Sequence, residues 1–588
     1  MQGKTYIKTI LPLRLEWEPC YWFDPSSVSP AAALKTGSRV KVRFAGRYYI
    51  GVVSATGVVP DVEDSRILPV VSADTGLEDI SPAEIRLWRF IADYYMCTVG
   101  EVYKAAYPHL KLASEQVRAR AVRMKEAREA REEELWKSRI ERLKTRLAAK
   151  DKALSGRHGA EVTARLRQER TAIAGELYAA QARLAALGKD IFPDSCEEDP
   201  GLARISAAPP EQGLSTALAS GKPVLLKTPE RCPSYISAAA LTLRKGRNVL
   251  LLVPETGLTG NLGKQLREAF GDLLLVHHST LTQAQRRRIS DAVRSGRPYI
   301  VLGTRSAIFL PHRDLGLVIV DSEQSPFYKQ GDSSPRYNGR DCAVMLASIH
   351  AAEVLLGSPS PSLESLYNCI TGKYILLDRS VPDNPGSFTI VDTNAEKRKN
   401  GMIGTFSRKL LAACRDAGSV ALIRGYEKEE DLRPELDRLF PGGSAKFTVL
   451  TIPQAWKSDL AGFDLVVLLS ADALFSPDDF RSDEHAFQFL DLLRHSCGKV
   501  FIQTANPGAQ VFGMTDASVL LEERRIFKLP PYTRLVDILA PGIGATERVT
   551  LPRNLSVGQR KKALQRHVQD FCRKHSFKGN VILDADPL

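Results

Sequence analysis

With 588 residues and 44% apolar content, the chain is too long for one core and apolar enough for several, which excludes a disordered or fibrous protein. Its 81 Lys and Arg against 68 Asp and Glu leave a charge of +13, which favours a polyanionic partner over an acidic one. No stretch approaches the ~18 consecutive apolar residues of a membrane helix, and the start MQGKTYIKTILPLRLEW lacks a signal peptide's apolar region, so a cytoplasmic protein without membrane contact is expected.

Residues 1–108 begin with β-type alternation (RVKVRF, RYYIGVV) between Gly and Pro turns and close on an amphipathic helix from Pro82 to Tyr95. A small β-rich domain is expected there. Residues 112–190 are rich in Arg, Glu, Ala and Leu, with a heptad seam of Val162, Leu166, Ile173, Leu177, Leu184 and Leu187. An antiparallel helical hairpin turning at SGRHG follows, either a spacer or a lever and docking surface. Over 205–379 the short apolar runs VLLK, NVLLLVP, LLLVHH, YIVLGT and LGLVIVD alternate with helical stretches, which predicts a parallel-sheet lobe. FTIVD, SVALIR, FTVLTI, FDLVVLLSAD and KVFIQT repeat the pattern over 388–538, and 539–588 reads as a small α+β domain. The fold class is α/β and multidomain.

Chemistry gathers at the strand ends of the first lobe. Asp321, Ser322, Glu323 and Gln324 follow the apolar strand Leu317–Val320, where a nucleotide-driven motor carries one carboxylate for Mg²⁺ and another to orient the attacking water. Ser322 cannot take a proton from water at neutral pH. The turn after Leu226 offers Lys227, Thr228, Pro229, Glu230, Arg231, Cys232 and Pro233, with no glycine and with two prolines that remove amides a phosphate would need. Lys227 or Arg231 could still touch an anion, which Glu230 would repel. No catalytic residue and no nucleotide site are expected.

These stretches resemble, in order, the primosomal protein N′ (PriA) family of bacterial replication-restart helicases. So do VKVRFAGRYYIGVV, FIADYYMCTVGEVYKAAYP, LLLVPETGLT, LGSPSPSLESLYN, LLSADALFSPDDFRSDEHAFQFL, FKLPPYTRLVDI and VILDADP. The likeness covers nearly the whole chain except about 112–191. It implies two RecA-like lobes behind a domain that binds the 3′ end of a nascent strand, and a family that uses ATP, Mg and Zn. Departures argue against those cofactors here. DSEQ replaces DEEH, the phosphate turn is short, and LLRHSCGKVFIQT offers only Arg494 where the family has GRAGR. Pro359 and Ser360 replace Ala and Thr of motif III. The family's zinc insertion is missing, in keeping with nine cysteines that form no CxxC pair, and no metal is expected. The helical hairpin stands where the family has a winged helix.

For DNA, the resemblance implies backbone contacts from Thr259, Thr304 and Arg305. The loop PFYKQGDSSPRYNGR reads as a stacking and phosphate surface made by Phe327, Tyr328, Lys329, Arg336, Tyr337 and Arg340, or as a polar loop pinning the lobes. Arg39, Lys41 and Arg43 alternate on one strand face, a basic stripe beside Arg47 or an ordinary solvated face. Pro19 and Cys20 stand where the family's end pocket has Phe and Asp, so recognition of a 3′ hydroxyl is not expected, although Tyr21 persists. Phe90 and Tyr94 match aromatics that meet the tail of single-stranded DNA-binding protein, with core packing as the alternative. The leading expectation is a monomeric replication-restart protein that binds forked or single-stranded DNA and recruits single-stranded DNA-binding protein and the replicative helicase or its loader, without being an enzyme. The alternatives are an ATP-dependent 3′ to 5′ helicase and a DNA-independent scaffold.

Overall fold

In this computed structural model the described residues are 4–24, 34–73, 77–108, 211–254, 261–379 and 387–587, apart from one or two positions at a time, with isolated positions between 138 and 148. The chain divides into two compact units, Met1–Leu110 with Pro200–Leu588, and Lys111–Asp199. In the second unit Arg142 donates to Ser138 and Thr145 to Glu141, the i,i+4 spacing of a helix. The expected hairpin otherwise lies outside the described residues.

In the larger unit, the first sheet takes β1 (Thr5–Ile10), β2 (Cys20–Phe23), β3 (Arg39–Phe44), β4 (Arg47–Thr56) and β5 (Leu68–Pro69) in the order β3-β4-β1-β2-β5. Strands β3 and β4 form a hairpin whose two-residue turn places Ala45 (φ 47°) and Gly46 (φ 78°) in the left-handed region, the twist that joins antiparallel strands without splaying them. Alternation sends Val40 and Val42 into the core with Ile7 and Val53. Helix α1 (Pro82–Tyr95) starts at a capping box between Ser81 and Glu84 with Pro82 in its first turn, and α2 (Val99–Ala106) starts at a second between Thr98 and Glu101.

The next sheet is parallel throughout. Its strands are β6 (Val224–Lys227), β7 (Asn248–Leu252), β8 (Leu274–His277), β9 (Ile300–Gly303), β10 (Leu315–Asp321), β11 (Glu353–Ser358) and β12 (Ile375–Asp378), in the order β12-β6-β11-β10-β7-β9-β8. LGLVIVD is buried along its whole length because helices cover both faces, which is why such strands read as unbroken apolar runs. Helix α3 (Cys232–Arg244) follows β6, α4 (Gly339–His350) precedes β11 and α5 (Leu363–Ile370) follows it. Strands β6, β11 and β10 are neighbours in this order, so their carboxyl ends lie side by side, the edge at which open α/β sheets bind ligands.

A second parallel sheet orders β13 (Ser387–Asp392), β16 (Val420–Arg424), β17 (Phe447–Thr451), β18 (Leu465–Leu468) and β19 (Lys499–Thr504) as β13-β19-β18-β16-β17, with a two-stranded ribbon of β14 (Met402–Ile403) and β15 (Phe406–Ser407) beside it. Helices α6 (Ser482–Ser496) and α7 (Ser518–Ile526) are among those that cover this sheet. The two lobes share a core: Leu363 of α5 packs with Phe489 and Leu490 of α6. Antiparallel strands β20 (Thr533–Ala540), β21 (Ala545–Pro552) and β22 (Ile582–Ala585) end the chain, packed by Leu564 and Phe571 of α8 (Val557–Lys574). The α/β, multidomain expectation agrees with this architecture.

Buried His312 gives the fold a pH dependence. Its Nε2 meets Ala307 O at 2.9 Å, and burial, with small help from His350 and His277, pushes its pKa down to about 4. Unfolded, the ring returns to about 6.5, so the unfolded chain binds more protons. The stabilisation is complete above pH 6.5 and is lost as pH falls toward 4, by up to ~1.4 kcal/mol per pH unit. Urea midpoints measured from pH 7 to 4.5 should fall, and less steeply in His312→Asn. Equal slopes would contradict the assignment.

Candidate functional site

At the carboxyl edge of this sheet, Asp321 ends β10 and its carboxylate accepts three hydrogen bonds from neighbouring side chains. Its Oδ1 accepts from Arg231 Nε at 2.7 Å and Tyr235 OH at 2.9 Å, and its Oδ2 accepts from Ser322 Oγ at 3.0 Å. The Arg231 guanidinium also donates to Thr228 O and Pro229 O, both at 3.2 Å, and reaches Ser322 Oγ at 3.4 Å. One arginine thus ties the turn after β6 to the DSEQ segment. Burial opposes that charge, but Asp321 and the hydrogen bonds outweigh it and hold the guanidinium's pKa above its ordinary value. Tyr235 reaches across Gly357, where any Cβ would collide with its hydroxyl. Arg231 immediately precedes α3 and Tyr235 lies on it; the helix starts with Pro233 in its first turn and without a side-chain cap.

Lys227 pairs with Asp378 at 3.2 Å and Thr228 is buried, its amide on Ser358 O. The anions met by Lys227 and Arg231 are therefore carboxylates of the same chain. Arg231 thus pairs with the first carboxylate of the DSEQ segment within the chain. Ser322 sits at φ 50°, a left-handed conformation worth about 1 kcal/mol of strain in a residue with a Cβ.

Glu323 has a side chain 0% exposed and accepts four hydrogen bonds, from Arg340 Nη1 (2.9 Å), Ser362 N (2.7 Å), Ser362 Oγ (2.9 Å) and Ser365 Oγ (2.8 Å). Gln324 Oε1 accepts from Ser358 Oγ at 2.7 Å. Glu323 therefore fixes the N-terminus of α5, where a carboxylate is favoured by the exposed amides. Leu363 N in turn donates to Glu484, which also pairs with Arg524 of α7 at 3.1 Å, so the polar chain runs on into the second lobe.

The DNA-contact expectations need correction at several positions. Tyr328 is buried and donates to Leu252 O and Asp321 O, so its ring supports the sheet instead of stacking on a base. Tyr337 is buried edge-on against Phe309. Lys329, its side chain 2% exposed, pairs with Asp584 at 2.8 Å, and Arg336 pairs with the same carboxylate at 2.8 Å. Arg340 is committed to Glu323 and Asp341. Arg39 is buried under the Tyr107 ring, 4.3 Å from its centroid, and leaves the expected stripe. Thr304 is buried, and Arg305 donates to Phe327 O at 2.7 Å, bracing the loop. Phe327 keeps 41% of its surface exposed, Arg43 is exposed and Lys41 is half-buried. Thr259 lies outside the described residues. Phe90 and Tyr94, both half-buried, stack on each other at 5.2 Å, and the Arg534 guanidinium covers Tyr94 at 3.8 Å. Tyr21 is buried, its hydroxyl on Arg43 O at 3.2 Å.

The residues that sequence reasoning missed are acceptors remote in the chain. Asp584 in VILDADP neutralises a loop some 250 positions earlier, and only the pairing of an acidic tail with a basic loop could have hinted at it. Tyr48 was passed over as a strand residue, yet it is 51% exposed beside Lys41. Among the described residues no group of three or more His, Cys, Asp or Glu stands close enough to hold a metal ion, and no helix is long and apolar enough to cross a membrane.

Residues 17–108 match a family model described as the PriA 3′ DNA-binding domain. Replication restart protein PriA of Chlamydia pneumoniae is 37% identical over 202 residues, 33% of this chain and 27% of that protein. The Haemophilus influenzae PriA is 36% identical over 198 residues, 33% and 27%. The aligned part spans about a quarter of these curated relatives. Among solved structures, the DUF1998 helicase MrfA bound to DNA is 14% identical with TM-score 0.34 over 58% of this chain and 52% of that one, and RecG bound to a three-way DNA junction is 15% identical with TM-score 0.34 over 60% and 47%. One expectation is overturned by the sequence relatives. They are PriA proteins, a DNA helicase enzyme family, so the reading of this chain as no enzyme is corrected.

Proposed function

We propose that the chain is a PriA-like replication restart protein that binds forked or single-stranded DNA and, as a monomer, recruits single-stranded DNA-binding protein and the replicative helicase or its loader; the match over 17–108 and the PriA relatives support this reading. The observation that carries this reading is the 3′ DNA-binding match over 17–108, on whose hairpin Arg43 and Arg47 are exposed. DNA binding needs no ATP, Mg²⁺ or Zn²⁺ in this reading, since Arg231 already neutralises Asp321 and joins the turn to the DSEQ segment. Phosphate-driven binding weakens steeply with salt. Fluorescence anisotropy of a labelled fork should give a log–log salt slope of several units, and a chain that stays unbound at low salt would favour the scaffold instead.

The relatives favour a second reading, in which the same grip serves ATP-dependent 3′ to 5′ unwinding. Arg231 would then have to leave Asp321 during each cycle. Phosphate release with ATP, Mg²⁺ and a fork tests it directly, and Arg231→Ala should change that rate if the contact gates the site.

A further inference from the structure

From Lys35 to Pro60 the sequence has five basic residues and no carboxylate, and four of them, Arg39, Lys41, Arg43 and Arg47, lie on the β3–β4 hairpin. Arg43 lies directly opposite Tyr48 in the ladder, and paired residues of antiparallel strands share a face. Lys41, two positions back on that face, sets its ammonium 5.1 Å from the centre of the Tyr48 ring. The ring nevertheless keeps 51% of its surface exposed, and Arg43 is exposed beside it. On the opposite face Trp17 packs near Phe44, but between Glu16 and Glu18, where phosphate would be repelled. The Tyr48 face is therefore the one that combines a flat aromatic surface with uncompensated positive charge.

We propose that Tyr48 is a stacking platform for an unpaired base of single-stranded DNA, with Lys41 and Arg43 taking the flanking phosphates. This rests on the DNA-binding reading above and adds the form of DNA: a base in a duplex is already stacked on both sides, whereas an unpaired one has a free face. The left-handed Ala45–Gly46 turn holds the strands in register, so little order has to be gained on binding.

Anisotropy of the full chain with an oligo-dT strand and with a blunt duplex of equal length tests the assignment. Tyr48→Ala should weaken the single strand by about tenfold and leave the duplex unchanged. Tyr48→Phe, which keeps the ring, should restore binding. Lys41→Ala with Arg43→Ala should weaken binding and lower the single-strand salt slope by about 1.4. A Tyr48→Ala protein that binds the single strand like wild type would overturn the platform while leaving the DNA-binding reading intact. A wild-type chain that binds neither DNA would overturn both.

Discussion

Glu323→Ala should lower the stability of the first lobe by about 3–5 kcal/mol, the cost of stripping a buried ion pair of one partner. The Glu323 side chain is 0% exposed and that of Arg340 is 12%, so water cannot replace the lost carboxylate. Asp341 still contacts Arg340 Nε at 2.8 Å, which tempers the loss. Against that, Ser362 N, Ser362 Oγ and Ser365 Oγ all lose an acceptor, each worth about 1 kcal/mol. Glu323→Gln keeps an acceptor oxygen but no charge and should fall between. Urea titration followed by intrinsic fluorescence reads the shift, and an alanine variant with the wild-type midpoint would remove Glu323 from the structural role assigned to it.

Asp584→Ala should cost a similar ~3–5 kcal/mol, because it leaves Lys329 and Arg336 charged without a carboxylate. Lys329 retains only carbonyl partners, Arg336 O and Ala585 O, which share a charge poorly compared with an ion. The terminal strand β22 should then be cut faster by protease. Combining Asp584→Ala with Lys329→Met removes both members of the pair, so the double variant should lose less than the sum of the singles. Additive losses would show that the two side chains do not act as a pair.

The parallel strands were legible because burial on both faces writes them as unbroken apolar runs, and LGLVIVD or VALIR can hardly be placed elsewhere. The helix at Pro82–Tyr95 was legible from its amphipathic period. The candidate DNA residues were less so, because a one-dimensional reading treats a basic or aromatic residue in a loop as surface. Arg39 does share a face with Lys41 and Arg43, as alternation requires, but Tyr107 covers that end of the face. Lys329 and Arg336 meet Asp584 only after the C-terminal strand has paired with β20, a contact with no local signature. The turn after β6 shows the same limit. Its residues revealed a missing glycine loop, but not that Arg231 and Tyr235 converge on Asp321. Family resemblance located the motifs, and the geometry showed which of their side chains are spent on the scaffold.

In the proposed function the grip on DNA does not wait for nucleotide while Arg231 is seated on Asp321. Fork affinity of the full chain, measured by anisotropy in one Mg²⁺ buffer without nucleotide and again with ATP, tests this. Equal affinities are expected in the two conditions. Fork binding that appears only with ATP would contradict this reading.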